Sequence, residues 1–100
     1  MTHEEFVKEA MTMMRKDAGH REERYITEML MDEFLLNAAR EGMFQKLRAA
    51  REKGRGGWWK QDECSIEHLR HLLAEHVAKG DMRDVMNLAA MIHVRTIADA

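Results

Sequence analysis

Carboxylates, histidines and a single cysteine are the side chains here whose types and spacing bear on chemistry. Glu4, Glu5 and Glu9 approach an EExxE pattern, which together with a later ExxD gathers oxygens around one magnesium ion for cleavage of a nucleotide phosphoanhydride. The third glutamate falls one residue late. On a helix that slip turns the side chain by about 100°, away from the ion, and Asp81 with Asp84 supplies only the end of the second half. His68 and His71, three apart, share a helical side as a metal pair would. No HExxH accompanies them, and His76 lies on an apolar stripe where it caps or packs. Cys64 has Lys60 nearby and a helix start after it, conditions that lower a thiol pKa, yet two tryptophans in the same loop give it a structural setting. The glycine run GRGG lacks the GxxxxGK that a phosphate loop needs. The expectation is no catalytic residue, no metal, no cofactor and no enzymatic activity.

Binding is better represented. Lys46, Arg48, Arg51 and Arg55 lie just ahead of Trp58 and Trp59, an arrangement in which cations meet phosphates while an indole stacks on an unpaired base. No helix-turn-helix pattern accompanies it, and the chain carries a net charge of −2, so direct nucleic-acid contact is the lesser expectation. Charge is also segregated. From Thr2 to Phe34 nine acids face five bases, whereas from Glu41 to Lys60 six bases face two acids. Such a division steers a charged partner at long range or draws two halves of one fold together. Ten methionines, several of them in the first 31 residues, offer an adaptable apolar surface or plain core filling.

The elements that must carry these groups are helices. The chain has no proline, is 45% apolar and 34% charged, and repeats its apolar residues at helical spacing, so the fold class is all-α. A length of 100 residues implies one domain with a modest core and function on its surface. Thr2 with Glu5 reads as a capping box opening a helix over about 3–16, with Phe6, Ala10 and Met13 or Met14 inward and Gly19 as its left-handed terminator. A second pattern begins near Arg21 and continues to Lys53. Unbroken, it would be roughly 50 Å long, so Gly42 is the expected break or kink, giving helices over about 21–41 and 43–53. Three glycines within four positions (54, 56 and 57) end the helical run. Ser65 then caps a helix reading Ile66, Leu69, Leu72, Leu73, His76 and Val77, and Gly80-Asp81 turns the chain into a last helix with Val85, Leu88, Ala89, Ile92 and Thr96 inward. The expectation is about five helices in one domain: N-terminal helices over 1–53, a Gly/Trp loop over 54–64 and an antiparallel hairpin over 65–98. One tryptophan should pack between the basic helix and the hairpin, and its neighbour should point outward as a partner anchor. A lone cysteine suits a reducing compartment, and no apolar stretch approaches the ~20 residues that span a bilayer.

The run from Lys46 to Ile92, KLRAAREKGRGGWWKQDECSIEHLRHLLAEHVAKGDMRDVMNLAAMI, resembles a module of small bacteriophage and prophage proteins. That module has a basic helix, GRGGW, CS, a leucine-rich helix ending EHVAKGD, and a helix opening on Asp-Val and Asn. Met82-Arg83 stands where the pattern has Pro and Val, a change that a first helical turn accommodates. In size and character the chain is also similar to anti-CRISPR proteins, including the type I-F group. The resemblance implies a phage protein in the host cytoplasm that occupies a host defence complex, foremost a crRNA-guided surveillance complex. Glu4, Glu5, Glu9, Glu22, Glu23 and Glu28 would face the complex's basic DNA channel, and Trp58 or Trp59 would anchor the contact. The alternatives are a nucleic-acid-binding accessory protein using Lys46, Arg48, Arg51 and Arg55, and a MazG-like nucleotide pyrophosphohydrolase.

Overall fold

A computed structural model describes all 100 residues, and every regular element in it is a helix. In chain order they are α1 (His3–Gly19), α2 (Arg24–Glu52), α3 (Ile66–Lys79) and α4 (Met82–Ala98). Four helices rather than about five result, because α2 passes through Gly42 without interruption. A lone glycine costs a helix only about 1 kcal/mol, less than the hydrogen bonds that a break would forfeit on both sides. Gly42 is also buried. The residues group into two compact units, Met1–Gly42 and Met43–Ala100, each containing part of α2.

In the first unit, the Thr2 hydroxyl accepts from the Glu5 N–H at 3.1 Å and starts α1. Contrary to expectation, α1 runs on through Asp17 and Ala18 to Gly19, which does not adopt a positive φ. His20 caps the end instead, its N–H donating to Asp17 O at 3.1 Å while the Arg21 N–H donates to Ala18 O at 3.2 Å. α2 opens on Glu23, whose carboxylate accepts from the N–H groups of Tyr25 and Ile26, so two of the four orphan donors of that terminus are satisfied. The sheltered stripe of α1 is Val7, Ala10, Met11, Met14 and Ala18; Ala10 and Met14 lie on it as expected, whereas Phe6 does not. Phe6 is 39% exposed and Met13 71% exposed. Along α2 the sheltered residues are Leu30, Met31, Phe34 and Ala38, while Ile26, Met29 and Leu35 are exposed.

The second unit holds the better core. α2 ends on a left-handed Gly54 (φ 78), with the Gly54 N–H bonded to Arg51 O and the Arg55 N–H to Ala50 O. These are the paired closures that satisfy the last carbonyls of a helix, and they need a residue without a Cβ at that φ. Ser65 caps α3 through the His68 N–H at 3.0 Å. Gly80 (φ 84) closes α3, and Asp81 accepts from the Arg83 N–H at the head of α4. α3 and α4 pack against each other as an antiparallel hairpin, with Leu69 and Leu88 buried. On α4 Val85, Leu88 and Ile92 are sheltered as expected, whereas Ala89 and Thr96 are exposed and Asn87 and Arg95 are buried.

Candidate functional site

Two neighbouring concavities in the second unit bring together most of the side chains with chemical potential. The first, of ≈ 400 Å³, has walls of Leu47, Leu69, Leu72 and Met91, with Arg51 and Arg55 among its lining residues. Trp58 and Trp59 also line it. They divide as expected: Trp58 is half-buried and Trp59 is 61% exposed, with the Lys60 ammonium 5.3 Å from the centre of its ring. Neither Arg51 nor Arg55 is in a salt bridge, so both cations are available to an anion. Arg48, by contrast, pairs with Glu52 at 3.2 Å on a fully wet surface, where such a pair contributes little.

What fixes the loop that carries the tryptophans is Arg95, which sequence reasoning did not single out. Only 3% exposed, its guanidinium donates to the Trp58 carbonyl at 2.6 Å, the Cys64 carbonyl at 2.8 Å and the Asp99 carboxylate at 2.9 Å. Three acceptors in three directions use the planar fork as a lysine could not. Gln61 donates to the other Asp99 oxygen at 2.7 Å, closing the loop over 58–64 onto α4. The Arg95 hydrogen bond, then that of Gln61, holds the Asp99 carboxyl below its ordinary value. The signal was present in the sequence only as the single Lys, Arg, Asp or Glu between Val85 and Ala98, where a charge among apolar neighbours is buried only with partners.

The second concavity, of ≈ 320 Å³, is lined by Lys46, Lys53, Arg55, His76, Asp84 and Asn87 together with apolar residues. Lys46 Nζ lies 2.8 Å from Asp81 Oδ2 and 3.4 Å from Asp84 Oδ2. The hydrogen bond to Asp81 raises the Lys46 pKa, and the same bond lowers that of Asp81. His76 Nδ1 is 3.5 Å from Asp84 Oδ2 and makes no hydrogen bond. Asn87 donates its amide to the Met43 carbonyl at 3.1 Å, while its buried Oδ1 has no partner. No family model, curated protein or solved structure matches this chain.

The remaining expected site residues are dispersed. Glu4, Glu5, Glu9, Glu22, Glu23 and Glu28 all lie in the first unit and are exposed, although Glu23 is already engaged at the α2 terminus. Lys46, expected as a phosphate contact, is committed to Asp81 and Asp84. His71 pairs with Glu75 at 3.1 Å, whereas His68 lines the tryptophan groove. No group of three His, Cys, Asp or Glu converges as a metal set would. No helix is long and apolar enough to cross a membrane.

Proposed function

We propose that this is a phage-encoded accessory protein that acts by occupying a host macromolecular complex, foremost a crRNA-guided defence complex whose DNA channel is basic. The observation that carries this reading is the surface of the first unit. Ten acids face six bases there, and among the exposed carboxylates stand Met13, Tyr25, Leu35 and Leu36, each between 63% and 76% exposed. Carboxylates steer the encounter with a basic channel, and apolar side chains between them provide the area that holds it. The mechanism is competition for the sites that take DNA phosphates. Pull-down of purified surveillance complexes, followed by a DNA-binding assay, tests it. The expected result is co-elution and loss of DNA binding, weakened by charge reversal at Glu4, Glu5 and Glu9. Absence of co-elution across several host types rejects it.

A second reading is favoured by the ≈ 320 Å³ concavity, where Lys53 and Arg55 meet His76, Asp84 and an unpartnered Asn87 carbonyl oxygen. Convergent polar groups with cations in a concave site suit a nucleotide phosphate, as in a MazG-like pyrophosphohydrolase. The Lys46 ammonium, rather than an open cation position, lies between Asp81 and Asp84. This arrangement does not fit a magnesium ion held by those two carboxylates. Turnover of common nucleotides with magnesium, abolished by Asp84→Ala, would support this reading; saturable nucleotide binding without turnover would restrict it to a binding site.

A further inference from the structure

The tryptophan groove and the acidic unit have matching chemistry. The groove offers apolar walls in Leu69, Leu72 and Met91 beside Arg51 and Arg55, which form no salt bridge. Its apolar walls require an apolar occupant, and its two guanidiniums require carboxylates beside that occupant. Such an element exists in the chain itself. Leu35 and Leu36 are 63% and 67% exposed; Asp32, also exposed, precedes them by three and four residues on α2, and exposed Glu33 precedes Leu36 by three. That spacing places carboxylates and leucines side by side on a helix surface.

We infer that the groove receives the Asp32–Leu36 turn of a second copy of this chain, with Leu35 and Leu36 against the apolar walls and Asp32 and Glu33 on Arg51 and Arg55. The charge balance of the units fits this occupant. The first unit has ten acids and six bases, and the second has ten bases and eight acids, so copies attract through unlike units and repel through like ones. Donor and acceptor surfaces are different patches. Reciprocal insertion closes a two-fold dimer with two such contacts, and unreciprocated insertion propagates a linear chain of copies. The groove lies outside the acidic face invoked above, but its occupant shares Leu35 and Leu36 with that face, so the test uses this protein alone, with no host component.

Sedimentation velocity on the full-length protein tests this over a dilution series at low and high salt. The mass is expected to rise from one copy toward two or more with concentration, with association weakened several-fold by salt. The variants Arg51→Glu/Arg55→Glu and Leu35→Ser/Leu36→Ser alter exposed positions, and circular dichroism checks that each retains its helices. Each alone is expected to associate at least tenfold more weakly than the parent. A 1:1 mixture of the two should form a mixed species, because each variant supplies the half that the other lacks. If either variant loses its helices, Arg51→Gln/Arg55→Gln and Leu35→Ala/Leu36→Ala take their places in the same mixing experiment. A single-copy mass at every concentration overturns the inference, as does association that none of these substitutions changes. So does a short single-stranded oligonucleotide that quenches tryptophan fluorescence while the protein remains a single copy, which would assign the groove to nucleic acid.

Discussion

The two units are built from the same kind of amphipathic helix, yet they spend their apolar residues differently. Between Met1 and Gly42 only Ala38 and Gly42 are buried, and α1 has no buried residue at all. Between Met43 and Ala100 the buried set is Leu69, Asn87, Leu88 and Arg95, with half of it polar. The second unit gains order from hydrogen bonds to a few long-range partners, whereas the first relies on half-sheltered methionines and leucines. A helix that leaves its apolar residues wet is held weakly. It also keeps those residues available for another molecule.

Several substitutions would break or sharpen this contrast. Arg95→Ala should have the largest effect, about 3–5 kcal/mol of destabilisation, because it removes one partner from a buried charge network and orphans two carbonyls. Urea melts followed by tryptophan fluorescence report it directly, since both tryptophans lie in the second unit. Leu69→Ala should cost roughly 3 kcal/mol, while Leu36→Ala in the first unit should stay within about 0.5 kcal/mol in dilute solution. Equal losses at the two leucines would erase the contrast between the units. Trp58→Ala should cost about 2–3 kcal/mol, less than a fully buried aromatic, with Trp59→Ala near neutral in thermal melts.

The class of fold and the hairpin were legible because their signals are local. Ser65, Gly80 and Asp81 each perform at their positions the capping chemistry their side chains dictate. Gly42 misled because a glycine's helix cost is small enough for its surroundings to override. Gly19 misled in the other direction, since His20 ends α1 without any left-handed residue. The inward faces of α1 and α4 follow the apolar pattern at Ala10, Met14, Val85, Leu88 and Ile92 but depart from it at Phe6, Ala89 and Thr96, because burial depends on packing and, around Arg95, on a polar network that apolar counting ignores. The pairing of Lys46 with Asp81 and Asp84 joins residues 35 or more positions apart, a distance at which a sequence carries charge but no register.

Smaller effects sharpen the comparison further. Gly54→Ala should cost about 1 kcal/mol, through a φ of 78° that alanine tolerates poorly. The pH response should also report on the second unit. The Asp81 and Asp99 pKa values are lowered from 3.8 in the fold, so their contribution is present above 3.8 and is lost as pH falls through the folded values. Lys46 is raised from 10.5, so its contribution is present below 10.5 and is lost as pH rises through its folded value. Acid titration followed by tryptophan fluorescence should therefore show a transition below pH 3.8 that Asp81→Asn and Asp99→Asn together flatten; an unchanged transition would place the acid sensitivity elsewhere.

Arg95 has one more consequence, which concerns time rather than equilibrium. Its carbonyl partners at Trp58 and Cys64 lie 37 and 31 residues earlier in the chain. Proteins are synthesised from the N-terminus at about 5–20 residues per second. The tryptophan loop therefore leaves the ribosome seconds before the side chain that fastens it. During that interval its indoles are loosely held and accessible to chaperones or to other nascent chains, and the groove they border takes shape only when α4 arrives.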